Sequence, residues 1–349
     1  MKNFLYGTTA LVAAGVMVSG SASAAEKIKL KVGGYFQAMA VYVDQDSSLD
    51  RRSNVLTREG EIHFTGSTTL DNGLKVGVNV QLEAETCGDQ IDESYIFFSG
   101  SWGQVIIGAE DAAAQKMQYG QVGGVAVGVA SPNFGFTQGG TIFTGPSIVA
   151  DSEKLTYFTP RMSGFQVGVS YTPDKACEAA TNCSSYSGTN KDDASDGNIG
   201  SVYSVAANWV GNFQSASVAV SASYERGEDE RNLATTDDTH EWTIGGQVGF
   251  NGFKVGGQYS KLSNSGGTKD DDEKRWTVGA QYGTGPWAVG IQYAKLDDDA
   301  ANSDKDAVSV EGSYVLGPGV SVVGGVHWWD VDAQPDNAVA VFVGTKLGF

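Results

Sequence analysis

Apolar and polar residues alternate one for one along much of this 349-residue chain. In Leu74–Glu83 every even residue is apolar and most odd ones are polar. Ala338–Phe349 repeats the pattern, with Val339, Val341, Val343, Leu347 and Phe349 on one face and Gly344, Lys346 and Gly348 on the other. A period of two belongs to a strand whose two faces meet different surroundings. It predicts sixteen strands over 29–43, 58–70, 74–85, 91–100, 104–109, 153–160, 164–172, 201–211, 213–224, 240–250, 253–262, 275–283, 287–296, 306–316, 320–330 and 338–349. Four of them share an inward glutamine, in Gly246-Gln247-Val248, Gly257-Gln258-Tyr259, Ala280-Gln281-Tyr282 and Ile291-Gln292-Tyr293, which reads as common hairpin geometry rather than a ligand motif.

The connections alternate in length. Asp71-Asn72-Gly73, Trp102-Gly103, Gly211-Asn212, Asn251-Gly252, Gly283–Pro286 and Gly317-Pro318-Gly319 have turn chemistry. The stretches 44–57, 173–200, 225–239, 263–274 and 297–305 are long and polar. Six of the seven prolines fall in predicted loops and Pro160 ends a predicted strand, as expected of residues that cannot donate to a ladder. Outward Tyr259, Tyr282, Tyr293, Trp276, Trp287 and Phe349 near strand ends suit the aromatic belts of a membrane barrel.

Composition fits a membrane protein that crosses with strands. Mean hydropathy is −0.19, and no run after the N-terminus approaches the ~20 apolar residues of a spanning helix. Only a closed barrel then satisfies every backbone group in lipid. Lys2, the apolar run Leu11–Val18 and Ala22-Ser23-Ala24 read as a Sec signal over 1–24 with an A-x-A cleavage site, leaving 25–349 as the barrel. Without that segment the chain has 22 basic and 41 acidic residues, net −19. This balance argues against nucleic acid and for a cation-attracting surface.

Three stretches carry a family resemblance: Gly66–Gly77, Asp92–Gly103 and Ser152–Pro160 each look like a porin strand with its turn. The chain resembles the sixteen-stranded trimeric porins of Gram-negative bacteria, most closely their alphaproteobacterial branch, and the terminal Phe349 resembles the signal read by the barrel-assembly machinery. The resemblance implies an all-β, antiparallel transmembrane barrel with a long loop after strand 5 folded into the lumen. The matching segment is about 110–151, opening on Glu110 and Asp111 and holding Pro132-Asn133-Phe134-Gly135. That turn is similar to the Pro-Glu-Phe-Gly tip of enterobacterial porins, except that Asn133 replaces the acid. Where those porins carry a basic ladder, pattern matching gives Tyr35, Glu61 and Asp92. Glu83 and Glu85 add to the acidic side, and Lys75 and Arg58 remain opposite. An acidic ring favours cations; the alternative is that Glu61 and Asp92 are neutralised by basic partners.

Other chemistry is sparse. Cys177 and Cys183, in one loop of an exported chain, predict a small disulfide-closed hairpin, while Cys87 either stays free or pairs in an assembly. Glycines 120, 123, 124 and 128 superficially resemble a nucleotide loop but lack a βαβ unit. Asp270–Glu273 and Asp297–Asp299 either bind divalent ions that bridge lipopolysaccharide or are solvated loops. The expectation is a homotrimeric outer-membrane channel for passive diffusion of small hydrophilic solutes and ions, cation-selective, in contact with lipid and lipopolysaccharide. It has no catalysis, no metal site and no cofactor. The alternatives are a channel specific for a sugar or organic acid, and a barrel serving as an adhesin or outer-membrane enzyme.

Overall fold

The computed structural model describes residues 26–45, 51–84, 90–130, 136, 142–176, 199–231, 233–299, 304–332, 334 and 336–349. The signal over 1–24 and the residues Glu85, Cys87, Asn133, Cys177 and Cys183 lie outside the described residues.

Sixteen strands form, close to the predicted positions. They are β1 Lys31–Asp44, β2 Asn54–Thr69, β3 Lys75–Glu83, β4 Ile91–Gly100, β5 Gly103–Ala109, β6 Glu153–Phe158, β7 Phe165–Asp174 and β8 Ile199–Phe213. The second half comprises β9 Ala216–Asp229, β10 Thr239–Phe250, β11 Phe253–Ser263, β12 Glu273–Thr284, β13 Trp287–Asp298, β14 Lys305–Gly317, β15 Val320–Val331 and β16 Ala338–Gly348. Each pairs antiparallel with its chain neighbours, and β1 pairs with β16 to close the barrel. Closure leaves no unpaired edge, the condition for crossing lipid with strands.

Two details depart from the sequence pattern. Gly211 and Asn212 do not turn: they extend β8 and pair with Val218 and Ser217, and the reversal comes at Gln214, whose φ of 54° supplies the left-handed step. Pro173 lies inside β7 rather than in a loop. It is tolerated because β6 stops pairing at Tyr171 and the β7–β8 register passes from Thr172↔Val202 to Asp174↔Gly200 without it.

The alternation holds in three dimensions. Outward Ile244, Val255, Val289, Val341 and Val343 are exposed, and inward Gln258, Thr243, Thr277 and Gln292 are buried. Outward aromatics stack across strands near both rims: Trp242 with Tyr259 at 5.2 Å and Trp276 with Tyr293 at 4.8 Å, then Phe253 with Tyr282 at 4.5 Å and Trp287 with Tyr314 at 4.3 Å. They form interfacial belts. The apolar clusters lie between the inner wall and the segment after β5. Met39, Val41, Val43, Val323 and Phe342 pack on Ala126 and Phe136, and Ala294, Ala307 and Trp329 pack on Val129, Ala130 and Ile142. Inward residues of β15, β16 and β1 are therefore apolar where a wall facing open water would be polar.

Candidate lumen site

The site begins with local chain geometry on β2–β4. Glu59, Glu61 and His63 are two apart on β2 and so share the inward face with Tyr35 and Gln37 of β1, through the pairs Tyr35↔Glu61 and Gln37↔Glu59. The Tyr35 hydroxyl donates to Glu61 at 2.5 Å and reaches Glu59, Gln37 Nε2 donates to Glu59, and His63 Nε2 lies 2.7 Å from Glu61. Glu83 of β3 stands opposite Glu61. On β4 the register slips between Val80↔Ser94 and Leu82↔Ile91, so two residues, Asp92 and Glu93, oppose Gln81 alone. Glu93, two residues from inward Tyr95, already faces the lumen, and the bulge turns Asp92 in beside it. Glu61, Glu83 and Asp92 each bring a carboxylate oxygen to within 4.8 Å of the others.

A second acidic trio adjoins it. Glu93, Asp111 and Asp151 also meet within 4.8 Å, at the two feet of the segment 110–151. Glu110 is fully buried and ion-paired to Lys116, and Lys154 Nζ donates to the carbonyls of Glu110, Ser152 and, at 2.5 Å, Ala150. Burial, with Glu110 adding, pushes Asp111 up to about 6 against the pull of Lys116. Burial and the charges of Asp111 and Asp92 push Asp151 up to about 8. Burial opposes the Lys116 charge, but Glu110 and Glu93 outweigh it and its pKa is raised.

From these feet the segment runs along the inner wall. Helix α1, Ala113–Lys116, is a single turn; Ser170 and Ser204 accept its Ala113 and Ala114 N–H groups at 2.8 and 3.0 Å. Ser221 accepts from Tyr119 N at 2.9 Å, and Gln292 accepts from Val129 and Ala130 N at 2.8 and 3.0 Å. The Glu311 carboxylate, itself 2.8 Å from His327 Nε2, accepts from Ala126 N at 2.7 Å, Val127 N at 3.2 Å and Gly128 N at 2.6 Å, and Lys346 donates to Ala126 O at 2.6 Å. On the return, Arg275 donates to Ser147 Oγ at 2.8 Å and to Glu241 at 2.5 Å, and Glu241 accepts Ser147 N at 2.8 Å. These main-chain donors of the described part of the loop thus find partners on the wall, which lets it lie against the inner face of the barrel.

Tyr35, Glu61, Glu83 and Asp92 therefore come together, with Glu110 and Asp111 beside them. Lys75 does not join them: it points inward, but its ammonium sits 5.7 Å from the Phe97 ring, eight residues from Glu83 and hence about 27 Å along the strand. Arg58 is not in the lumen either. It pairs with exposed Ala38 and shares its outward face. Glu59 and Glu93 escaped the sequence reading although period two marks Glu59 through Glu61 and places Glu93 on the face of Tyr95 and Phe97; Asp92 is the acid that becomes inward only through the bulge. Glu241, Arg275, Glu311, His327, Lys154 and Lys346 carry no local signal, because their role is to hold a distant segment.

A family model described as Gram-negative porin matches residues 7–334. An uncharacterized protein of Rickettsia typhi is 26% identical over 211 residues, 48% of this chain and 48% of its own. A protein of Rickettsia bellii is 26% identical over 159 residues, 38% of this chain and 36% of its own. The match thus spans about half the length of the first relative and little over a third of the second. Among solved structures, the anion-selective porin from Comamonas acidovorans superposes with a TM-score of 0.66 at 17% identity, covering 93% of this chain and all of that one. An outer membrane protein of Vibrio cholerae gives 0.60 at 13%, covering 93% of this chain and all of that one, and a triple mutant of the Rhodopseudomonas blastica porin gives 0.59 at 16%, covering 92% and all of its chain. These similarities establish a shared fold. With the match over residues 7–334 and the closed sixteen-stranded barrel, the chain belongs to the Gram-negative porins and is a multi-pass β-barrel of the outer membrane.

Proposed function

We propose that the protein is a water-filled outer-membrane channel for passive diffusion of small hydrophilic solutes and ions, with its bore narrowed by the segment 110–151 and biased towards cations. The observation that carries the bias is the acidic trio Glu61–Glu83–Asp92 on one side of the lumen; the neighbouring trio Glu93–Asp111–Asp151 adds charge as Asp111 and Asp151 ionise with rising pH. Carboxylates there act on a passing ion through an effective dielectric below that of bulk water, so their field is felt in the bore. Lys116 and Lys154, the nearby ammonium groups, are engaged by Glu110 and by main-chain carbonyls. The anion selectivity in the name of the Comamonas porin belongs to a chain 17% identical, and does not transfer.

The homotrimer rests on the outward face of β1 and β2. Exposed Arg58 stands there beside Ala38 and Gly60, and it has no ion pair among the described residues. A guanidinium facing lipid carries a cost that grows with depth, up to roughly 2–4 kcal/mol at the midplane; a second copy covering small residues there removes it. Planar-bilayer recordings across a KCl gradient test the channel reading. A zero-current potential of the sign set by cation flow is expected; no conductance, or the opposite sign, overturns it. Currents that saturate with one sugar or organic acid would instead indicate a specific channel.

A further inference from the structure

The inward face of β10–β13 repeats one arrangement four times: Gly245 with Gln247, Gly256 with Gln258, Gly279 with Gln281 and Gly290 with Gln292. Residues two apart share a face, so all eight point into the lumen. The register interleaves them, because Gly245 faces Gln258, Gln247 faces Gly256, Gly256 faces Gly279, Gly279 faces Gln292 and Gln281 faces Gly290. The result is a checkerboard of bare backbone and carboxamide within β10–β11 and within β12–β13, the two halves meeting at the Gly256–Gly279 pair.

The segment 118–130 lies directly on it. A Cβ at Gly245 would stand 1.9 Å from Tyr119 O, one at Gly279 1.8 Å from Val122 O, and one at Gly290 2.1 Å from Gly123 O. Ordinary contact between such atoms is roughly 3.5 Å, so any other residue displaces main chain, which cannot step aside as a side-chain tip can. The fit is mutual. Gly120 and Gly123 of the loop have φ of 124° and 106°, and a Cβ on either would meet the carbonyls of Gly257 and Ile291 at 2.2 and 2.0 Å. The amides fix position along the groove: Gln292 Nε2 donates to Val122 O at 3.1 Å while its Oε1 accepts from Val129 and Ala130 N, and Gln258 Nε2 donates to Gln118 Oε1 at 2.5 Å.

We propose that this glycine–glutamine checkerboard is a specificity-determining berth: the missing side chains set how deeply the loop sinks into the wall, and hence the limiting cross-section of the pore. The inference rests on the channel reading above and names which residues, opposite in chemistry to the acidic wall, determine its size limit. Gln258, Gln281 and Gln292, which bond the loop, are positioning residues acting through it.

Opposite signs follow from the two halves of the motif. In Gly279→Ala the new methyl group forces Val122 O back by about 1.5 Å, towards the pore axis, so unitary conductance falls and the largest sugar admitted in liposome swelling becomes smaller. Gly283→Ala is the control, since it lies on the same strand and face with its nearest neighbour, Trp287 O, at 3.8 Å, and it should conduct as wild type. Gln292→Ala removes the loop's amide clasp without adding bulk and should raise both conductance and open-channel noise. Barrel closure is checked by heat-modifiable gel mobility. Wild-type or higher conductance in closed Gly279→Ala barrels overturns the proposal, as does a Gln292→Ala channel indistinguishable from wild type; if Gly279→Ala does not close, the second variant decides alone. A wild-type protein without conductance would mean that the channel reading has failed, whereas a conducting wild type with unresponsive variants sinks only the berth.

Discussion

Glu61 and Glu83 face each other across β2 and β3, both inside the barrel, and Asp92 closes on them so that three carboxylates share a space of 4.8 Å. Like charges directly opposite on a sheet are destabilising. Tyr35 and His63 offset part of the cost by bonding to Glu61, and under the proposed channel reading the remaining charge directs a field into the lumen.

Neutralising that field should lower selectivity without opening the barrel. A unit charge about 4 Å from a passing ion is worth about 1 kcal/mol even in water-like surroundings, roughly fivefold in local cation population. The double variant Glu61→Gln, Asp92→Asn is therefore expected to lose severalfold in the potassium-to-chloride permeability ratio. In the wild type the preference should weaken as salt rises, since screening shortens from ~10 Å at 0.1 M to ~3 Å at 1 M. Zero-current potentials at both concentrations check this, and an unchanged double variant would place the selectivity elsewhere.

The pH dependence follows from the loop feet. Burial raises both, Asp151 to about 8 with Asp111, Asp92 and Glu110 adding, and Asp111 to about 6 with Glu110 adding, while Lys154 opposes both shifts and Lys116 opposes that of Asp111. A raised carboxyl binds its proton more tightly in the folded protein than in the unfolded chain. Its contribution is favourable at low pH and is lost progressively from about 4, its unfolded value, up to its folded pKa. The loop should therefore be held more firmly at pH 5 than at pH 9, while cation preference grows over the same interval as the acids ionise. Asp151→Asn should flatten both trends above pH 6; thermal unfolding and reversal potential measured between pH 5 and 9 are the checks.

Glu311 is the point at which releasing the loop should be most visible. Its carboxylate accepts three consecutive loop N–H groups and meets His327, so Glu311→Ala leaves these donors without a partner. Stranding a buried donor costs roughly 1–3 kcal/mol per group. The loss falls on the loop, because Glu311 contributes to the barrel ladder through its backbone, which the substitution retains. We expect a closed barrel with higher, noisier conductance and greater cleavage by added protease between residues 118 and 130. A quiet, wild-type channel would show that the loop is held without it.

Phe349 contributes to closure through its backbone, donating to Gly34 O at 3.1 Å and accepting from Gly34 N at 3.0 Å. Deleting it removes the terminal β1–β16 bonds and an outward aromatic at the rim. Outer-membrane levels of the deletion variant should fall more than the melting temperature of whatever barrel does form; equal levels by immunoblot would refute a role in assembly.

The barrel was legible because lipid outside and water inside impose opposite demands on successive residues, so Leu74–Glu83 and Ala338–Phe349 announce their faces directly. The meeting of Tyr35, Glu61, Glu83 and Asp92 was legible through family resemblance. Departures occurred where a third partner intervenes. The inward faces of β15, β16 and β1 break alternation at Trp329, Phe342 and Val43 because they pack on a loop, which no local pattern can announce. The Gly-x-Gln series was visible in the chain but not its purpose, since its complement, Gly120 and Gly123, lies more than a hundred residues away. Arg58 was misplaced against its own alternation: three residues from inward Glu61, it takes the outer face beside exposed Ala38.

The pairing of β1 with β16 joins residues such as Tyr35 and Gly348, about 300 positions apart. The first strand to leave the ribosome thus waits for the sixteenth before its outer row of donors and acceptors is covered, and any shorter nascent product carries two open edges that invite pairing with other chains. Contact order this high makes folding during synthesis unproductive. The polypeptide must be kept unfolded until it is whole, and its cooperativity is that of a ring: no subset of strands is a stable smaller protein, so the unit that survives or fails is the whole circuit.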